Sequence, residues 1–394
     1  MQTKYILVTS AAGLFTASTA FAADLPKEPM IAEPIEYVKS CDAYGNGYFN
    51  LPGTETCLNI SGRIRAQVRT GNLSEDEGDD WDSYTRGYGW FESETATSFG
   101  SIYTYTGFYY TFNQKDDEAS WSADDAFITF KTDYADLNFG VKLSEFYGFL
   151  GYSWMQIGGA NWVEYYPLQA SVNIPVDNFT LSLAVEDASY MDGSDQGLNF
   201  VGALDYSHDL VSFRLAAAAH ENTNEEYGYA LSAYTEIKPI DKLALSLGAQ
   251  YAVDASKFVG LSAGGYGDLL NGSYGDDADE DQKAPDAIYF DTLGVSAFSV
   301  MGGMKYALAD DVDVMFEASY LQFETDNETT NFDGDALRLS GSVVFKPAPG
   351  LGIALAAGYS ELTANGETSD TSLDVMEEST VEQMRIGTRI QYTF

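Results

Sequence analysis

Seven arginines carry the strongest chemical signal in this chain: Arg63, Arg65, Arg69, Arg214, Arg338, Arg385 and Arg389. Each falls on the polar parity of a stretch in which apolar and polar residues alternate, the period of a β-strand. Leu58, Ile60, Ile64, Ala66 and Val68 share one parity, and Asn59, Ser61, Arg63, Arg65, Gln67 and Arg69 share the other. At the far end, Met384, Ile386, Ile390, Tyr392 and Phe394 alternate with Arg385, Arg389 and Gln391. Arg86 joins the set if Phe91 faces outward. Guanidinium groups stay charged at any relevant pH and can splay side by side where water and carboxylates surround them. Three arginines on one strand face are too many for a dry core. They fit either the outer face of a soluble sheet or the wall of a wet lumen.

Catalytic chemistry finds little purchase. His208 and His220 are the only histidines, and no serine-bearing elbow accompanies them as a Ser-His-Asp site would need. Two histidines and two cysteines give no argument for a His/Cys metal cluster. Neither acidic run, 75–80 or 276–281, matches the EF-hand spacing of alternating ligands before a turn glycine and a distal glutamate. Neither a cofactor nor a metal is implied.

The formal charge of −40, from 20 basic and 60 acidic residues, speaks against nucleic acid as a partner, because like charge repels phosphate. It favours steering of cations and a strongly hydrated surface. The mean hydropathy is −0.19. Beyond the N-terminus no apolar run approaches the roughly 18–20 residues of a membrane-spanning helix. A barrel remains open, since its strands need only about 9–11 alternating residues. Aromatics make up 14% of the chain, enough to furnish interfacial belts.

Residues 1–22 have the form of a secretory leader: Lys4, then a core of apolar and small residues, then Ala20-Phe21-Ala22 as a cleavage site. Removing it would take the charge from −40 to −41, since Lys4 is its one charged residue. Export permits a disulfide between Cys41 and Cys57, worth about 3 kcal/mol for so short a loop. A free thiol pair is the alternative. Residues 23–56 then form an N-terminal periplasmic segment, and 57–394 the strand-rich body.

Short turns near 98–101, 133–136, 175–178, 207–209, 238–241, 308–311 and 347–350 alternate with longer polar connections. The latter fall at 71–83, 113–124, 144–162, 188–197, 221–226, 253–292, 325–333 and 361–380. Seven turns and eight loops separate sixteen strands and leave both ends on the short-turn side, as an even-stranded barrel requires. The predicted fold class is therefore all-β, a transmembrane antiparallel barrel with an inward-folded third loop. That loop, 144–162, is rich in aromatic residues and nearly uncharged apart from Glu145, unlike a solvent loop. Apolar sets such as Phe179, Leu181, Leu183 and Val185 face lipid in this reading. Closure makes the first and last strands neighbours, so Arg63 and Arg65 should stand near Arg385 and Arg389.

Two stretches resemble the N-terminal signature of the alphaproteobacterial general porins: Glu36-Tyr37-Val38 with Cys41-Asp42-Ala43-Tyr44-Gly45, and Pro52-Gly53-Thr54-Glu55-Thr56-Cys57-Leu58. Residues 126–151, with Ser144-Glu145-Phe146, are similar to the family segment that runs into its third loop. The resemblance implies an outer-membrane homotrimer whose third loop narrows a water-filled channel for passive diffusion of small hydrophilic solutes. It also implies contact with outer-membrane lipid and lipopolysaccharide. Phe394 would then be the recognition element for the barrel-assembly machinery. Glu145, with Glu164 at the loop's far side, is expected to face the arginine wall, and the acidic excess to make the pore cation-preferring. The arginines could equally pair with lumen carboxylates to hold the barrel round. A solute-specific channel, a non-conducting structural or adhesive barrel and a secreted soluble sandwich are the alternatives.

Overall fold

A computed structural model describes residues 39–45, 47–74, 81–113, 118–148, 151–155, 157, 165–191, 197–222, 224–261, 294–325, 330–368 and 379–394. The leader expected at 1–22, residues 23–38 and Asn46 of the N-terminal segment, and Glu164 lie outside the described residues. The strands in chain order are β1 (Phe49–Asn50), β2 (Thr56–Thr70), β3 (Trp81–Thr97), β4 (Gly100–Asn113), β5 (Glu118–Lys131) and β6 (Asp136–Val141). They continue with β7 (Leu168–Val176), β8 (Phe179–Asp187), β9 (Leu198–His208), β10 (Val211–Glu221), β11 (Tyr227–Ile240) and β12 (Leu243–Val253). The last five are β13 (Val295–Ala309), β14 (Val312–Thr325), β15 (Thr330–Ala348), β16 (Leu351–Thr368) and β17 (Ser379–Thr393).

Among the described residues, β2 to β17 pair with their sequence neighbours, and β17 pairs antiparallel with β2. Sixteen antiparallel strands thus close into one ring, which is the barrel expected from the alternation. The seam runs from Gly387 opposite Arg69 to Thr393 opposite Arg63. Phe394 finishes it: its N–H donates to the Gly62 carbonyl at 3.0 Å, and its own carbonyl accepts from Gly62 at 2.9 Å. Its ring lies over Gly62, where an added Cβ would sit 2.8 Å from Cζ.

The seven short turns fall where their Gly, Pro and Asp punctuation puts them, from 98–99 to 349–350. Several of the longer connections are shorter than expected, whereas that between β6 and β7, at 142–167, is longer. β16 continues to Thr368 inside the predicted loop 361–380, β5 begins at Glu118 inside 113–124, and β15 begins at Thr330 inside 325–333. Backbone pairing in these hairpins persists where alternation fades.

Exposure is inverted relative to a soluble sheet. Ile60, Ile64, Leu247, Leu355, Ile390 and Phe394 stand exposed, Leu247 at 63% and Leu355 at 60%. The alternate parity is buried: Gln67, Ser182, Glu186, Ser232, Gln250, Glu317, Ser340 and Arg389. An apolar outer band around a polar or small inner face is the arrangement a lipid bilayer selects. Before β2, the segment from Ser40 forms a hairpin: Phe49 of β1 pairs with Leu58, and Cys41 is disulfide-bonded to Cys57 with Cα atoms 6.0 Å apart. The Tyr48 hydroxyl in this hairpin donates to the lumen-facing Glu92 at 2.8 Å, which ties the segment to the barrel rim.

A charge on the outer band should therefore be costly. Leu247→Arg, near the middle of β12, is expected to destabilise the barrel by about 2–4 kcal/mol in a bilayer. Equilibrium unfolding in lipid vesicles measures it, with exposed Asp209 in a short turn as the neutral comparison site.

Candidate functional site

The connection between β6 and β7 enters the barrel, and its root is built from charge. Glu145 lies in the loop with only 5% of its surface exposed. Its carboxylate accepts from Lys142 Nζ at 2.8 Å, from Arg214 at 3.0 Å and from Asn173 at 3.3 Å. Arg214 also donates to the Glu145 carbonyl and, at 2.9 Å, to both oxygens of Asp205. Burial by itself would push the Glu145 carboxyl up; Lys142 and Arg214 outweigh it and hold it below the ordinary carboxylate value. One residue away, Glu186 of β8 accepts from the Ser144 hydroxyl at 2.8 Å and the Glu145 N–H at 3.2 Å.

Beyond the root the loop packs as a core inside the barrel. Phe146 and Tyr147 are buried, with Phe146 edge-on to Phe258 at 4.9 Å. Phe258 comes from the 3-10 turn Ser256–Val259 after β12, which also points inward. The wall beneath is made of small side chains: Ala184, Ala203, Ala216, Ala218, Ala230 and Ala252. Further on, Glu317 of β14 accepts from the backbone N–H groups of Tyr152 and Ser153, the second at 2.6 Å. The Tyr152 hydroxyl donates to Glu236 at 2.6 Å. Trp154 lies against Gly352, and Met155 and Ile157 against Gly387, at positions where a Cβ would collide with them. Two glycines on the inner wall thus make room for Trp154, Met155 and Ile157.

The loop leaves one part of the lumen open. A cavity of about 750 Å³ is lined on the barrel side by Arg63, Arg65, Arg86, Tyr88, Tyr109, Asp125 and Arg389, and on the loop side by Ser153, Trp154, Tyr165 and Tyr166. The guanidinium of Arg86 sits 4.4 Å from the Tyr109 ring centre, that of Arg63 4.9 Å from Trp90, and that of Arg65 5.2 Å from Tyr88. Arg65 donates to Gln391 at 3.2 Å, Arg86 to Thr111 at 2.7 Å, and Arg389 to Gln67 at 2.8 Å.

The expected residues therefore divide. Arg63, Arg65 and Arg389 share the cavity wall, joined by Arg86, and Phe91 does face outward. Arg69 turns instead to Asp82, 2.5 Å away. Arg214 stands across the lumen as the loop's anchor, while Arg338 is half-buried on β15 and Arg385 buried on β17, outside the cavity lining. Glu145 was expected at the loop's edge facing the arginines; its carboxylate is instead enclosed between Lys142 and Arg214 at the root. Sequence reasoning missed the clamps Glu186, Glu236 and Glu317 and the ring faces of Tyr88 and Tyr109. All sit on the inward parity, which was the available signal. Among the described residues no group of three or more His, Cys, Asp or Glu side chains could hold a metal ion.

Residues 27–388 match the profile of the porin subfamily. The chain belongs to that subfamily. It is 38% identical to porin Omp2a of Brucella ovis over 170 residues, 39% of this chain and 49% of that protein. The match thus spans about half the length of that relative. Among solved structures, the outer membrane channel DcaP of Acinetobacter baumannii aligns with a TM-score of 0.65 at 11% identity, covering 88% of this chain and 99% of that one. OmpT of Vibrio cholerae in its trimer form gives 0.58 at 13% identity, with 86% and 99% covered. At such identities these structures speak for the fold. Family, relatives and barrel together place this porin in the outer membrane as an integral β-barrel.

Two outcomes follow for the loop. Glu317→Ala removes the acceptor of two loop N–H groups and should cost about 1–3 kcal/mol, read as faster hydrogen exchange at Tyr152 and Ser153. Because the Glu145 carboxyl is held below its ordinary value of 4.5, its contribution is complete above that value and is lost as pH falls through the lowered one. Trp154 emission should therefore show a shift as pH falls below about 4.5. Glu145→Gln should abolish that acid-side transition.

Proposed function

We propose that this porin forms a water-filled channel through which small hydrophilic solutes and ions diffuse passively. The observation that carries the reading is the opening left between the inward loop and the arginine wall, within a closed ring whose outer face is apolar. A packed loop fixes the width of such an opening. The arginines and ring hydroxyls lining it exchange water for solute polar groups at little cost, whereas an apolar solute gains nothing there. No catalytic role is proposed; His220 is buried and bonded to Asn199 at 2.8 Å.

The ion preference follows from two opposed fields. The acidic runs 75–80 and 276–281 lie outside the described residues and fall in sequence between β2 and β3 and between β12 and β13, two of the long connections. They draw cations toward the pore mouth. The arginines of the opening act at shorter range. Cation preference is therefore the proposal, strongest in dilute salt where the Debye length exceeds about 10 Å.

The association proposed is a homotrimer embedded among outer-membrane lipid and lipopolysaccharide. Phe394, its ring exposed at 64% and its backbone closing the seam, is proposed as the recognition element for the barrel-assembly machinery.

Planar-bilayer recording of the purified protein tests both parts. Stable steps of conductance in KCl support the channel, and a barrel that inserts without conducting would sink it. Across a KCl gradient, the reversal potential should show cation preference that shrinks as both baths are raised toward molar salt. Anion preference in dilute salt would refute the selectivity.

A further inference from the structure

Among the described residues, several cations outside the opening have a carboxylate partner in reach. Arg69 faces Asp82, Arg214 faces Asp205 and Glu145, Lys131 faces Glu94, and Lys346 faces Asp313. The opening is different. Arg65, Arg86 and Arg389 donate to Gln391, Thr111, Gln67 and the hydroxyls of Tyr84 and Tyr88, all neutral. With Arg63, they bring four guanidinium groups to a cavity whose one lining carboxylate among the described residues is Asp125. The remaining lining is largely aromatic: Tyr88 and Tyr109 on the wall, Trp154, Tyr165 and Tyr166 on the loop.

We propose that this cavity is a retention site for planar aromatic carboxylates, resting on the channel reading above. A carboxylate accepts paired N–H bonds from a guanidinium fork, a stronger and more directional contact than a neutral acceptor gives. Among the described residues, the hydrogen bonds of Arg65, Arg86 and Arg389 go to neutral partners, so their charge is not neutralised by a bonded carboxylate. Arg63, Arg65 and Arg86 already lie over ring faces, which holds their planes in place and reduces what must be ordered when an anion arrives. A ring attached to the carboxylate then meets the aromatic loop face, where offset or edge-to-face stacking adds to apolar burial. The cavity, about 750 Å³, is of the size that holds a small ligand with some of its water. Charge alone would favour any small anion. The conjunction of guanidinium wall and aromatic loop selects the one that also carries a ring.

The test compares benzoate with cyclohexanecarboxylate, which keeps the charge and loses the ring's π-faces, and with benzamide, which keeps the ring and loses the charge. Saturation-transfer NMR on the purified barrel in detergent should show benzoate binding about fivefold tighter than either. In bilayers, benzoate should interrupt the KCl current at correspondingly lower concentration. Trp154→Leu should bring benzoate and cyclohexanecarboxylate to equal affinity, and Arg86→Gln should weaken both acids without changing benzamide. Heat-dependent electrophoretic mobility checks that each variant keeps its barrel. Equal affinity for the two acids in the unaltered protein, or benzamide binding as well as benzoate, would overturn the proposal. The NMR measurement needs no conductance, so a silent barrel would count against the channel while this site still stands or falls by its own titration.

Discussion

Hydrocarbon offers no partner to a backbone N–H or C=O, so a sheet that crosses a membrane must have no edge. The pairing of β17 with β2 satisfies that constraint, and the placement of every other group follows from it. Closure fixes the parity of all sixteen strands at once. It sends Ile60, Leu247 and Ile390 outward and Arg63, Arg65 and Arg389 inward. It also makes residues more than 300 positions apart into neighbours, as Arg389 and Gln67 are.

The interior then divides into two unlike regions. From β8 to β12 the inner wall is largely alanine and serine, and the loop after β6 covers it with Phe146 and Tyr147. Around β2, β3, β4 and β17 the wall carries arginines and tyrosines and borders open space. Carboxylates hold the boundary between these regions. Glu186, Glu236 and Glu317 each accept from loop groups, so acids that would otherwise line the lumen are occupied in fixing the loop. Among the described residues, Asp125 is then the one carboxylate that lines the cavity beside the arginine wall.

The fold was legible because its rules are local. Alternation in Phe179, Leu181, Leu183 and Val185 states which face meets lipid, and Pro175, Asp177 and Gly350 mark turns without reference to anything distant. Strand ends were less legible, because at Glu361, Thr363 and Asn365 the outward parity turns polar while backbone pairing with β15 continues. The site was legible by half. Parity places an arginine on the inner face, but it does not say whether water, a carboxylate or a loop lies opposite. Glu145 illustrates the limit: its partners Arg214 and Asn173 reach it only through the ring and the returning loop. Likewise Ala216 and Ala230 mark an inward face, and only the loop's path turns that face into a packed one.

The packed region inside the barrel has a consequence of its own. Lipid can satisfy the outer band but cannot reach Phe146, Phe258 or Leu321, whose burial is driven by water as in any soluble protein. The chain therefore answers to two solvents. Its exterior leaves water only by meeting hydrocarbon, whereas its interior buries apolar side chains against one another within the water-facing lumen. A single sheet thus keeps one face for each solvent.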